Sequence, residues 1–189
     1  MSPVKIIILN GTSSSGKTCI IRALQNSLEG PYLEAGIDKF IWSLPKRYLD
    51  RPLRYQVLGN ADKAGTLGHD MVRGMHRAIA ALSQAGCNCI ADHVLVEPAW
   101  AKDCAELFAN LPAYMIGVKC PLEVLEQREA SRKNRTLGQA KLQFPVIHKY
   151  TVYDLEVDTS LLSPEGCARY IQSRLNKPPL ALRQMQQMI

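Results

Sequence analysis

The stretch "GTSSSGKT", Gly11 to Thr18, follows directly on the apolar run "VKIIILN" at residues 4–10. It constrains the fold more than any other feature of the chain. An unbroken run of β-branched and aliphatic residues closed by glycine predicts a strand buried on both faces. Beyond the loop, "KTCIIRALQNSLEG" (17–30) places Ile20, Ile21, Leu24 and Leu28 at helical spacing, with Gly30 where a C-terminal cap belongs. A buried strand, a small polar loop and an amphipathic helix, in that order, complete the context of the pattern G-x-x-x-x-G-K-[ST].

The composition of that loop has a physical purpose. A polyphosphate carries several negative charges and needs many donors at close range. Gly11 and Gly16 let the backbone turn its N–H groups inward, and Thr12, Ser13, Ser14 and Ser15 keep the loop small and polar. The helix that starts near Lys17 points its positive end at the phosphates. Lys17 supplies a mobile ammonium for the terminal phosphates, and Thr18 a hydroxyl for Mg²⁺. The expected ligand is therefore ATP with Mg²⁺.

Strands and helices alternate along the rest of the chain. Strands are expected at "YLE", "CNCIAD" (87–92), "AYMIGVKC" (113–120) and "YDLEVDTS" (153–160). Helices are expected at 68–86, 98–111, 121–135 (running into a basic loop), 137–150 (broken near Pro145) and 163–176. Residues 44–67, with Pro45, Pro52, Gly59 and Gly65, read as irregular. The alternation predicts an α/β fold: a doubly wound, five-stranded parallel sheet with helices on both faces. One kinase domain spans 1–176, with a basic lid at about 128–141 inside it, and a tail follows at 177–189. In the tail, Leu182, Met185, Met188 and Ile189 form an apolar stripe suited to docking on the body or to a dimer contact, so monomer and homodimer both stay open.

The six cysteines contain no C-x-x-C pair, which speaks for buried reduced thiols in a cytoplasmic protein rather than a zinc site. Neither a secretory leader nor a membrane span is expected, since "IIIL" is too short for either. The net charge of +6 suits an anionic ligand. The excess falls in two clusters, Lys46, Arg47, Arg51, Arg54 and Lys63, and Arg128, Arg132, Lys133, Arg135 and Lys141. Two separate clusters match a pocket with two anion-binding walls better than a continuous nucleic-acid groove, so nucleic acid is not the expected partner.

Further chemistry gathers at strand ends. Asp92 closes the strand "CNCIAD", where it either holds Mg²⁺ or caps the next segment. His93 beside it lines a pocket or is structural. The chain lacks the N-K-x-D base-reading motif of switch GTPases, and it is short for a motor core. A small kinase remains. In "REASRKNR", Arg128 and Arg132 share a helical face and Arg135 follows the turn, giving guanidinium forks for a phosphoryl group in transit. Asp38 in "AGIDKF" lies just beyond the second strand, either as a base that takes a hydroxyl proton or as a helix N-cap. A small-molecule hydroxyl is the expected acceptor. A nucleotide or nucleic-acid kinase and a non-catalytic nucleotide-binding module are the alternatives.

The stretches "IILNGTSSSGKT", "GID", "AGCNCIAD", "GVKCPLEVLEQREASRKNR" and "YDLEVDTS" occur in this order over about residues 5–160. In that combination the chain resembles the chloramphenicol phosphotransferase family of small P-loop kinases. The resemblance implies ATP-dependent phosphorylation of a hydroxyl on chloramphenicol or a similar small molecule. It assigns phosphate and Mg²⁺ binding to Lys17 and Thr18, the base role to Asp38, and the lid role to Arg132 and Arg135. Residues 39–67 depart furthest from the family: Trp42, Tyr48 and Tyr55 stand among Lys46, Arg47, Arg51 and Arg54. That much positive charge suits an acceptor more polar than chloramphenicol.

Overall fold

The computed structural model describes residues 4–49, 61–131 and 137–188. Its centre is a parallel sheet of five strands: β1 (Ile6–Asn10), β2 (Tyr32–Glu34), β3 (Asn88–His93), β4 (Ala113–Lys119) and β5 (Leu155–Asp158), in the order β2-β3-β1-β4-β5. β1 is the central strand, and all five of its residues are buried. Its alternate side chains serve two cores, as strand geometry requires. Ile6 and Ile8 pack on one face and Ile7 and Leu9 on the other.

Helices cover both faces. α1 (Lys17–Ser27) and α8 (Pro164–Arg174) pack over Ile7, Leu9, Ile90 and Ile116. The opposite face carries α2 (Ile37–Trp42), α4 (Ala61–Gln84), α5 (Pro98–Phe108) and α9 (Ala181–Gln187). Three short helices complete the described elements: α3 (Lys46–Leu49), α6 (Leu122–Ala130, just over two turns) and α7 (Gln139–Gln143). The chain thus leaves β1 toward one face and its neighbour β3 toward the other. Their carboxyl ends part into the crevice where α/β folds bind ligands.

Three expectations need correction. The long helix begins at Ala61, not at 68, so Gly65 lies inside it. A helical glycine costs only about 1 kcal/mol, which a 24-residue helix tolerates. The broken helix expected at 137–150 is reduced to α7. The tail stripe is shorter than expected: Leu182 and Met185 are buried against the body, but Met188 is 76% exposed, and Ile189 lies outside the described residues. The tail's anchor is Asp154, whose buried carboxylate accepts from Leu180 N (2.8 Å), Ala181 N (3.3 Å) and Arg174 Nη2 (2.8 Å). Among the described residues, no helix is long and apolar enough to cross a membrane. All six cysteines are free, and Cys19, unlike Cys89, Cys104, Cys120 and Cys167, is exposed.

Candidate active site

The loop from Gly11 to Gly16 leaves the end of β1 and turns into α1. Gly16 caps the helix in the left-handed region, φ 93°, where a side chain would be strained. Ser14 also has positive φ, 63°, and carries that strain within the loop itself. The loop is tucked in: Thr12, Ser13, Ser14 and Ser15 are each less than one-tenth exposed. The hydroxyls of Ser14 and Ser15 are buried without a hydrogen-bond partner among the described residues. A buried unpaired hydroxyl is costly, so the loop holds polar capacity that a phosphate group would satisfy. Lys17 is buried too, and its ammonium donates back to the carbonyls of Gly11 (2.6 Å) and Thr12 (2.7 Å). The side chain therefore already spans the inside of the loop.

β3 brings in the second wall. The register sets Leu9 beside Asp92 and Asn10 beside His93, so Asp92 stands level with the last strand residues before the loop. Its carboxylate is buried and packs directly on the backbone of Gly36: a Cβ built there would lie 1.6 Å from Oδ1. Burial raises the Asp92 pKa; Lys17 pulls it down in part, and Asp38 and Glu34 push it up. A carboxylate so placed favours a neighbouring divalent cation. Among the described residues no three His, Cys, Asp or Glu side chains cluster as a metal cage.

The third wall is the start of α2. Gly36 is its N-cap and Asp38 sits in its first turn, so the capping role considered for Asp38 belongs to Gly36. One pocket is lined by residues 13–19, Ile37, Asp38, Asp92, Val94 and Gln143. It gathers Lys17, Thr18, Asp38 and Asp92 around one space.

Gln143, absent from the sequence expectations, is fully buried and accepts a hydrogen bond from Ser13 N at 2.6 Å. Arg128 does not line this pocket. Its guanidinium donates to Thr159 Oγ1 (3.0 Å) and Thr159 O (2.7 Å), and Thr159 Oγ1 donates to Ser15 O (2.9 Å). Arg128 thus braces the outer side of the loop. With Gly16, Cys19, Ile20, Leu162 and Pro164 it lines a separate, mostly apolar cleft. Arg132, Arg135 and Lys133 lie outside the described residues, as do Arg51, Arg54 and Tyr55.

His93 belongs to a buried chain of polar groups rather than to the pocket. Val94 N donates to His93 Nδ1 (2.8 Å), which leaves the His93 proton on Nε2, facing His76 Nε2 at 2.7 Å. His76 then carries its proton on Nδ1 and donates to Asp103 at 2.6 Å. Burial, then His76 and Lys17, hold His93 well below the ordinary histidine range, so it stays neutral. The His76 hydrogen bond, with Arg77 alongside, depresses Asp103 to about 2. This relay fixes the backbone at Val94, one residue of the pocket wall. Asn10 fixes the next: its Oδ1 accepts from Leu95 N (2.9 Å), and its Nδ2 donates to Ile147 O (2.8 Å) and Tyr153 OH (2.7 Å).

Comparison with known proteins follows the same lines. Residues 4–176 match the family described as chloramphenicol phosphotransferase-like protein. A Mycobacterium tuberculosis protein named "Putative O-phosphotransferase" is 32% identical over 189 residues, covering 93% of this chain and 84% of that protein. A solved sugar kinase from Janibacter sp. HTCC2649 is similar with a TM-score of 0.69 at 16% identity, covering 92% of this chain and 95% of that one. The Mycobacterium tuberculosis APS kinase, solved in complex with AMPPNP and APS, gives 0.65 at 14% identity, covering 93% of this chain and 99% of that one. At such identities the two structures establish a shared P-loop kinase fold.

Proposed function

This chain belongs to the chloramphenicol phosphotransferase-like family, and from that premise we propose that it moves the γ-phosphoryl group of ATP to a hydroxyl of a small molecule. The observation that carries the proposal is the single pocket shared by Lys17, Thr18, Asp38 and Asp92. Phosphate donors and a carboxylate base must face one another for in-line transfer, and separate pockets would not serve.

In this reading the loop amides and Lys17 bind the phosphates, with the ammonium exchanging its two carbonyl partners for phosphate oxygens. Thr18 and Asp92 would hold Mg²⁺, which supplies charge neutralisation at the phosphates when bound. Asp38 accepts the proton of the acceptor hydroxyl and aims its oxygen, a contribution that is mostly orientation in a loose transition state. Arg132 and Arg135 are assigned from sequence to the charge that develops on the phosphoryl group. The apolar cleft beside Arg128 and Ile20 is the natural seat for the nucleotide base.

The acceptor enters from the side of α2. There Lys39, Trp42, Lys46 and Arg47 are exposed, which favours a polar or anionic alcohol over a neutral antibiotic. The test is mass spectrometry of a panel of small alcohols, chloramphenicol and anionic sugars included, incubated with ATP and Mg²⁺. At least one should gain a phosphate group, and Asp38→Asn should cut that turnover by roughly 10²-fold with ATP affinity kept. A panel without any phosphorylated product, from protein that binds ATP, would favour a nucleotide-binding module instead.

A further inference from the structure

The Ser15–Gly16 peptide stands between two hollows. Ser15 and Gly16 line the Lys17–Asp38–Asp92 pocket; Gly16 also lines the apolar cleft, together with Arg128 and Thr159. Thr159 lines the cleft and not the pocket. It follows β5 directly, and its N–H donates to the Lys119 carbonyl at the end of β4 (3.1 Å), so the sheet sets its position. Its hydroxyl stands between two partners of fixed sense. A guanidinium only donates, so Thr159 Oγ1 accepts from Arg128 Nη1 (3.0 Å) and turns its own proton to the Ser15 carbonyl (2.9 Å). The Lys119 carbonyl, 3.4 Å from the hydroxyl, is the poorer acceptor and already receives the Thr159 N–H.

The consequence lies at the other end of the peptide. The Ser15–Gly16 bond is trans and planar, so its N–H points opposite to its carbonyl. With the carbonyl drawn to Thr159 on the cleft side, the Gly16 N–H faces the pocket side. Backbone sterics alone do not fix this choice. A flip of the peptide changes ψ of Ser15 and φ of Gly16, and glycine accepts either sign of φ. Ser14, one residue before, already holds a positive φ of 63°, a conformation that persists only where neighbouring contacts enforce it. Resting on the reading above, we infer that Thr159 is a positioning residue for the polyphosphate: its hydroxyl, oriented by Arg128, holds the Ser15 carbonyl outward so that the Gly16 amide meets a phosphate oxygen. A flipped peptide would set the negative end of a carbonyl against that oxygen instead.

The test needs no acceptor. Thr159→Val removes the hydroxyl in nearly the same shape and keeps the methyl group; Thr159→Ser keeps the hydroxyl. Thr159 is only half-buried, so the fold tolerates both changes. Calorimetry measures binding of ATP·Mg²⁺, and competition measures inorganic tripolyphosphate with Mg²⁺, which has no base to enter the cleft. Thr159→Val should lose about 10- to 100-fold in both affinities, the worth of a hydrogen bond to a charged group, and Thr159→Ser should stay within about threefold of wild type. Urea unfolding isolates a merely structural hydroxyl. A lower midpoint in Thr159→Val, with affinity per folded molecule unchanged, would overturn the inference. Equal losses in the two variants would overturn it too, because the hydroxyl alone would then not suffice. So would a loss confined to ATP, which would place the effect in the base cleft, and so would a wild-type chain that binds ATP·Mg²⁺ but not tripolyphosphate. A wild-type chain that binds neither would overturn the kinase reading, and this inference with it.

Discussion

Gly36→Ala would test how closely the second and third walls of the pocket depend on each other. The backbone at Gly36 is ordinary, φ −78°, so alanine strains no dihedral and the effect is purely one of space. The added Cβ would fall 1.6 Å from Asp92 Oδ1, 2.7 Å from its Cγ and 2.8 Å from its backbone N. Ordinary carbon contacts begin at roughly 3.5 Å, so the carboxylate must retreat by about 2 Å. Rotating the side chain cannot relieve the contact with the backbone nitrogen, so the start of α2 must shift as well and take Asp38 with it. Overpacking of this kind costs about 1–3 kcal/mol, and a misplacement near 1 Å in a reacting group costs roughly 10²-fold in rate. Urea unfolding reads the first number. The Mg²⁺-dependent part of ATP affinity, measured by calorimetry with and without the ion, reads the displacement of Asp92 directly. Gly74→Ala is the matched control: it sits in α4 with nothing within 4 Å of a new Cβ. It should stabilise by about 0.5–1 kcal/mol. A Gly36→Ala protein as stable as wild type, with its Mg²⁺-dependent ATP affinity intact, would refute the packing argument.

Two further outcomes follow from the same structure. Leu182, 2% exposed, packs into the core, so Leu182→Ala should cost about 2–5 kcal/mol in urea unfolding and leave ATP affinity per folded molecule unchanged; a protein of unaltered stability would return the tail to a loose appendage. Asp103 has a folded pKa of about 2 against 3.8, so its stabilising effect is present above pH 4 and fades as pH falls toward 2. Solvent screening at this partly exposed group reduces that effect to about 1 kcal/mol. Asp103→Asn should therefore be less stable than wild type at pH 7 by about that amount, with the gap closing between pH 4 and 2; a gap constant with pH would break the linkage.

The parts of the site that depend on local order were legible in the sequence. The loop, its strand and its helix form one contiguous motif, and Asp92 and Asp38 each sit at a strand end that periodicity locates. The strand alternation also fixed the parallel sheet. What escaped was set by distant partners. Gln143 has no local signal, because its meaning comes from a backbone amide 130 residues earlier. His93 reads as a lone histidine beside Asp92, and its link to His76 has no local signal, since helix α4 and strand β3 meet only in the fold. Arg128 shares a helical face with Arg132 in sequence, yet the Thr159 carbonyl, brought in after β5, claims it. Met188 fits the apolar stripe of the tail but extends past the last turn that touches the body.

The central claim is that the Gly11–Thr18 loop and the Lys17 ammonium grip a nucleotide polyphosphate. Titration of ATP·Mg²⁺ into the wild-type chain and into Lys17→Ala tests it most directly. Saturable one-site binding by the wild-type chain and a large loss of affinity in Lys17→Ala is the predicted result. Absence of binding by the wild-type chain, or equal affinity in the two, would contradict it.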